Sequence, residues 1–215
     1  MKASSEIIKI AKSVIDIENN AITQLHDKID DNFSESVKLI LGSKGRLILC
    51  AVGKSANIAN KMVATFNSTG QPAVFLHAVD ALHGDLGNIQ DQDIIICISK
   101  SGNTEEIKAI VPLIKNMGNS IIAITGNLNS YLAHESHICL DSSVPKEACP
   151  YDLAPTSSTT AQLILGDALA VCLLKCKNFS KEDFARFHPA GTLGKRLTLK
   201  VSDILSERVP SVILE

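Results

Sequence analysis

Tryptophan is absent from this sequence, and aromatic residues make up only 4% of it. A surface that binds nucleic acid needs a basic stripe or aromatic platforms for stacking. With 21 Lys and Arg against 23 Asp and Glu, for a formal net charge of -2, neither is present, so nucleic acid is not an expected partner. Long apolar runs are also missing. Blocks such as 47–52 and 94–98 fall far short of the roughly 18 consecutive apolar residues of a membrane span. The first residues lead into Lys9, Lys12, Asp16 and Glu18 without the apolar core of a signal peptide, so a cytoplasmic protein with no membrane contact is expected. No Cys-x-x-Cys pair occurs among the six cysteines. Cys50, Cys97 and Cys139 lie in apolar runs where reduced thiols pack as small hydrophobes. Cys172 and Cys176 share a helix face with no histidine pair nearby, which reads as packing. No metal and no cofactor are expected. A small anionic ligand is compatible with this composition, because backbone amides bind phosphate without net positive charge.

What is present is a regular alternation. With 45% hydrophobic residues in 215, the chain can bury a substantial core, and one domain over 1–215 is expected. The helical segment 4–41 comes first. Over 4–25, Ile7, Ile10, Val14, Ile17 and Ala21 follow a three-four spacing, and Ile8, Ala11, Ile15, Ile22 and Leu25 form a second stripe beside it. So wide an apolar face calls for a partner surface, and a homo-oligomer is expected. A second helix is predicted over 34–41, with Ser34 as N-cap and Gly42 after its end. Strands follow at 46–52, 73–77, 93–99, 120–125 and 137–140, with helices at 55–69, 104–117, near 130–134 and at 157–177, and a charged segment at 181–187. Strands alternating with helices predict an α/β fold: a doubly wound, mainly parallel five-stranded sheet flanked by helices.

In such sheets ligands bind beyond the carboxyl ends of the strands. The first strand runs into Gly53-Lys54-Ser55: a tight turn, a cation and a hydroxyl. The third runs into Ser99-Lys100-Ser101-Gly102-Asn103-Thr104, followed by Glu105 and Glu106. Three hydroxyls, a permissive glycine and the free amides of a helix start suit a phosphate monoester; a plain capping box is the competing reading, but it needs fewer hydroxyls. Two more clusters follow the last strand, Lys146-Glu147-Ala148-Cys149-Pro150 and Thr156-Ser157-Ser158-Thr159-Thr160, the second opening the long helix either as an N-cap or as a second anion or sugar-hydroxyl site. Of the six histidines, His83 and His188 stand beside glycine-bearing turns; the other four have bland contexts.

Taken together, these motifs resemble the sugar isomerase (SIS) domain, and most closely its D-arabinose-5-phosphate isomerase group, over roughly 7–205. The resemblance is carried by Gly53-Lys54-Ser55, His83-Gly84-Asp85-Leu86-Gly87, Ser99-x-Ser101-Gly102 with Glu106, the Lys146–Pro150 and Leu153–Thr160 stretches, Gly166-Asp167-Ala168, and His188-Pro189 with Gly191 and Leu193-Gly194. Ala190, Tyr151-Asp152 and Asn103 depart from the common pattern. Many members continue into two CBS modules; the tail 200–215 resembles the start of that linker, and a form lacking those modules is expected.

The resemblance implies interconversion of D-arabinose 5-phosphate and D-ribulose 5-phosphate through an enediol, feeding Kdo and hence lipopolysaccharide or capsule synthesis. It implies Lys54, Glu106, Glu147 and His188 as the catalytic set. Glu147 would be the enediol base, exchangeable with Glu106; His188 would transfer protons, and Lys54, oriented by Glu106, would polarise the carbonyl. Gly53, Ser55, His83, Ser99, Ser101, Gly102, Thr104, Thr156, Ser157 and Ser158 would bind substrate. It further implies a homotetramer with active sites shared between subunits through His188, and CMP-Kdo as a feedback ligand at the same anion sites. The alternatives are an isomerase of another phosphosugar, such as sedoheptulose 7-phosphate, or a non-catalytic sugar-phosphate regulator. Transcriptional members place a helix-turn-helix module before the domain, for which the helices preceding Arg46 are too few.

Overall fold

The computed structural model describes residues 2–189. The segment 190–194, with Ala190, Gly191 and Gly194, and the tail 200–215 lie outside the described residues.

Five strands form one all-parallel sheet: β1 Leu47–Ala51, β2 Ala73–His77, β3 Ile94–Ser99, β4 Ser120–Thr125 and β5 Ile138–Asp141, in the order β2-β1-β3-β4-β5. Every residue of β1 and β3 is buried, as the unbroken apolar runs require. Alternate side chains serve opposite faces. Leu47, Leu49, Ala51, Ile94, Ile96 and Ile98 join one core. That core is closed by α1 (Ser4–His26), α2 (Asp31–Gly42), α3 (Gly53–Ser68) and α7 (Ser157–Cys176). Ile48, Cys50, Ile95, Cys97, Ile121 and Ala123 join the other, under α4 (Ala78–Ala81), α5 (Glu105–Asn116) and α6 (Tyr131–Glu135). The predicted two-sided sheet is therefore present, with both faces covered.

Several details differ from the sequence reading. The second helix starts at Asp31, not 34, because Asp30 caps it by accepting from the amides of Asn32 and Phe33; Gly42 is its last residue. The stretch after β2 folds into the short helix α4 and a 3-10 turn, Asp85–Asn88. The charged segment is a helix, α8 (Lys181–Phe187), closed by a capping box between Ser180 and Asp183. Among the described residues α7 is long and apolar enough to cross a membrane. Here it is a core helix, with Ala161, Leu165, Leu169 and Leu173 buried under α3 and α1.

The amino-terminal half of α1 keeps its stripes uncovered. Ile7, Ile8, Ile10 and Ile15 are exposed, whereas Ala21 and Leu25 are buried.

Candidate active site

The strand order reverses direction between β1 and β3, so the two connections leaving their carboxyl ends part to opposite faces and open a crevice. A cavity of about 330 Å³ lies there, lined by Gly53, Lys54 and Ser55 from the start of α3, Ser99, Lys100, Ser101 and Thr104 from the β3–α5 connection, and Pro155 and Ser158 from the start of α7. A larger cavity, about 740 Å³, sits at the amino ends of the strands around Glu35, Lys38, Asp91 and Asp93 and includes none of the predicted site residues.

Local geometry explains how the β3–α5 loop presents its hydroxyls. Gly102 has a positive φ of 64° and packs so closely on Ser130 and Thr125 that a Cβ would collide with both side chains. The Ser99 hydroxyl accepts from the Gly102 amide at 3.1 Å and that of Ser101 from the Asn103 amide at 3.2 Å. Both hydroxyls keep a proton to donate. Asn103 in turn accepts from the Tyr131 amide at 2.9 Å, pinning the loop to α6. Thr104 is the N-cap residue of α5, yet its side chain makes no cap hydrogen bond. The buried hydroxyl of Thr104, on the cavity wall, has no hydrogen-bond partner among the described residues, while the Ser158 hydroxyl on the same wall lies against the Glu147 carboxyl. Together with the amide-bearing start of α3, this wall presents donors in excess of what the protein itself uses, which is the chemistry of an anion site.

Glu147 is the most constrained of the predicted residues, with a side chain at 0% exposure. Oε2 accepts from the Thr156 amide (2.8 Å), the Thr156 hydroxyl (3.1 Å) and the Ser158 amide (3.1 Å). It thus caps the 20-residue helix α7, whose own N-cap residue, Thr156, makes no side-chain cap bond. Oε1 faces the Lys100 ammonium at 2.7 Å. The backbone here is held by Asp152, which has a φ of 54° and accepts from the Glu147 amide at 2.8 Å. Burial pushes the Glu147 pKa up, but the Lys100 ammonium and the donors of Ser158 and Thr156 outweigh it and hold the carboxyl at about 2.

The structure thus brings together Gly53, Lys54, Ser55, Ser99, Ser101, Gly102, Thr104, Ser158 and, just behind the wall, Glu147. Other predicted residues lie elsewhere. Thr156 is occupied with Glu147 and with the Ala148 amide, which donates to its hydroxyl at 2.8 Å. Ser157 is fully buried and does not line the cavity. Glu106 lies in the first turn of α5, with no hydrogen bond or ion pair to Lys54 among the described residues, and Glu105 is paired with Lys108 at 2.9 Å. His83 is exposed in the turn after α4, off the cavity wall. Sequence reasoning gave no role to Lys100, because a lysine in a loop carries no signal of the carboxylate it meets 47 positions later.

His188 is placed far from this cavity. It ends α8 with its ring stacked on Phe184 (centroids 3.9 Å apart), and its Nδ1 lies 2.9 Å from the Phe184 carbonyl. Phe187 stacks on Phe179, whose ring lies against Gly70, just beyond the carboxyl end of α3; a Cβ at Gly70 would clash with it. Lys54 is at the opposite end of α3, whose 16 residues span roughly 24 Å at 1.5 Å each.

Residues 40–172 match the SIS domain family profile. The chain belongs to the SIS domain family. This SIS domain is 50% identical over 192 residues to arabinose 5-phosphate isomerase KdsD of Francisella tularensis, covering 88% of this chain and 59% of that one. It is 45% identical over 216 residues to KdsD of Pseudomonas aeruginosa, covering 100% and 66%. The chain therefore spans less than two thirds of these relatives. Among solved structures, it superposes on a protein of E. coli CFT073 in complex with arabinose 5-phosphate with a TM-score of 0.85 and 37% identity, covering 87% of this chain and 100% of that one.

Proposed function

We propose that this SIS domain is an aldose–ketose isomerase that interconverts D-arabinose 5-phosphate and D-ribulose 5-phosphate, in the cytoplasm and in support of Kdo synthesis. The observation that carries this reading is the cavity at the β1/β3 crevice. There, surplus hydroxyl donors, two helix starts and Lys54 meet one buried, ionised carboxylate. Such a wall suits a phosphate ester at one end and an acid–base step at the other. The likeness to relatives named as arabinose 5-phosphate isomerases, and to a structure holding that sugar phosphate, supports this choice of substrate.

In this reading Ser99, Ser101 and Thr104, helped by Ser55 and the amides at the start of α3, hold the phosphate. A proton leaves one carbon and returns to its neighbour, and the enediolate oxygen formed between these steps is stabilised by Lys54. Glu147 takes and returns the carbon-bound proton, and Glu106 orients Lys54. His188 moves hydroxyl protons in the active site of a neighbouring copy, which its position at the far end of α3 favours over its own. The uncovered Ile7, Ile8, Ile10 and Ile15 of α1, with Tyr151 and Leu153 at 81% and 80% exposure, are the apolar surface that a homotetramer would cover. CMP-Kdo is proposed as a feedback ligand at the same anion site.

The deciding experiment is a coupled assay of purified protein on arabinose 5-phosphate, sedoheptulose 7-phosphate and glucosamine 6-phosphate. Turnover confined to the first supports the proposal, turnover of another sugar reassigns the substrate, and binding without turnover makes the domain a sensor. Mixing inactive Lys54→Ala and His188→Ala proteins under subunit exchange tests the shared site: recovered activity supports it, and none with proven exchange places His188 in its own chain's site.

A further inference from the structure

Glu147 as it stands is a poor base. It accepts three hydrogen bonds on one oxygen and faces an ammonium on the other. Its two oxygens are held differently, however. The donors to Oε2 belong to the start of α7 and are fixed by the helix. The cation at Oε1 belongs to Lys100, whose side chain is 43% exposed although the carboxylate is fully covered. Lys100 lines the 330 Å³ cavity and a smaller one of about 160 Å³ beside it, and the two share Lys100, Ser101 and Ser158 on their walls. The ammonium thus has open space on two sides and a flexible four-carbon stem, a point charge that can swing where a forked guanidinium would lock.

We propose that Lys100 is a positioning residue acting as an electrostatic latch. Its ammonium holds Glu147 until the substrate's phosphate, entering between the starts of α3 and α7, draws it away and leaves the carboxylate to the sugar. The inference rests on the reading that this cavity takes a phosphosugar. A phosphate dianion carries twice the charge of the carboxylate and competes at similar range for the same cation. Once the cation leaves, Glu147 keeps its place through the α7 donors. Its burial is no longer offset by a neighbouring charge, so its basicity rises toward what proton abstraction needs. The phosphate would then switch on the base as well as supply affinity, and an unphosphorylated sugar of the same shape would leave the latch closed. The other charged groups around the carboxyl are Asp152, which accepts from its amide, Lys54 across the cavity, and Lys28, which pairs with Asp141 and Ser143 behind the smaller cavity.

The test follows the Glu147 carboxyl by carbon-13 NMR, assigned with Glu147→Gln. Titrations are run on the protein alone and with saturating sulfate, a dianion over the mildly acid range into which a raised Glu147 pKa would move. Sulfate is expected to raise the apparent pKa of Glu147 by about one unit, a tenfold change in proton affinity. Lys100→Met is expected to show that rise without sulfate and little more with it, and Lys100→Arg to restore the low value. Sulfate that shifts the Ser101 and Ser55 amides while Glu147 titrates as before overturns the proposal, as does failure of sulfate to bind. A Lys100→Met protein that titrates like the wild type also overturns it. If that variant does not fold, the wild-type titration decides alone. Turnover of arabinose 5-phosphate in the same samples is scored separately, so the latch can fail with the isomerase intact, or hold in a protein that acts on another phosphosugar.

Discussion

Two buried carboxylates at opposite ends of the sheet show how similar ion pairs can serve different ends. At the amino end, Asp93 has a side chain at 0% exposure and pairs with Arg46 at 2.7 Å. Both of its oxygens are fully used: Oδ1 accepts from the Arg46 amide and Nε, and Oδ2 from Arg46 Nη2 and the Gln90 amide. Arg46 is itself tied to the Asn88 carbonyl at 2.7 Å. At the carboxyl end, Glu147 is equally covered and pairs at the same 2.7 Å, but with a lysine that contributes a single point charge and stands beside open cavities. Burial raises both carboxyl pKa values, and neighbouring cations and amides bring both below the ordinary range. The first pair staples the start of β1 to the start of β3. The second leaves its cation beside open space, as the proposed latch requires.

The comparison is tested hardest by removing the chemistry at one end only. Glu147→Gln and His188→Ala are expected to lower turnover by roughly two to four orders of magnitude. Glu105→Gln, pointing about a quarter-turn away from Glu106, should change it little, and Asp93→Asn should leave kcat near wild type wherever the protein is folded. A normal rate for Glu147→Gln would remove that residue from the acid–base role.

Stability should rank the two pairs in the opposite order. Breaking the bidentate Arg46–Asp93 pair with Asp93→Asn is expected to cost roughly 3 kcal/mol in urea denaturation, and Lys100→Met, which removes a partly exposed cation from a carboxylate that keeps its α7 donors, about 1 kcal/mol. Equal losses would mean that both are staples.

Ser101→Ala sharpens the comparison at the cavity wall. The loss of one hydrogen bond to a charged phosphate should raise KM by up to about tenfold and lower kcat less, because a phosphate remote from the reacting carbons is bound alike in ground and transition states. A fall in kcat with KM unchanged would contradict a phosphate anchor.

The smallest effect is in acid. The folded-state pKa of Glu147 lies below its unfolded value, so its contribution to stability is fully present above about pH 4.5 and is lost as pH falls toward about 2. After screening of the exposed Lys100, this amounts to about 1–2 kcal/mol. Urea midpoints at pH 6 and pH 3 should fall further apart in the wild type than in Glu147→Gln; an equal fall would place the acid sensitivity elsewhere.

Much of the framework was legible in the sequence. Runs such as Ile94-Ile95-Ile96-Cys97-Ile98 fit strands covered on both sides, and the glycine and hydroxyls after β3 marked the loop that lines the cavity. Short pieces were harder to read: the four residues of α4 are too few to show a period, and Ser34, read as the cap of α2, lies inside a helix whose first free amides the backbone places beside Asp30. The sequence by itself determined the order of elements, the two-sided sheet and the hydroxyl-rich loops, because these follow from local periodicity and turn chemistry. Only the tertiary structure decided that Lys100 meets Glu147, that Glu147 and not a local hydroxyl caps α7, and that His188 stacks on Phe184 at the far end of α3. The first contact joins loops 47 positions apart and needs two strand ends side by side, the second needs the path of the loop before α7, and the third depends on where α8 stops, none of which local periodicity encodes.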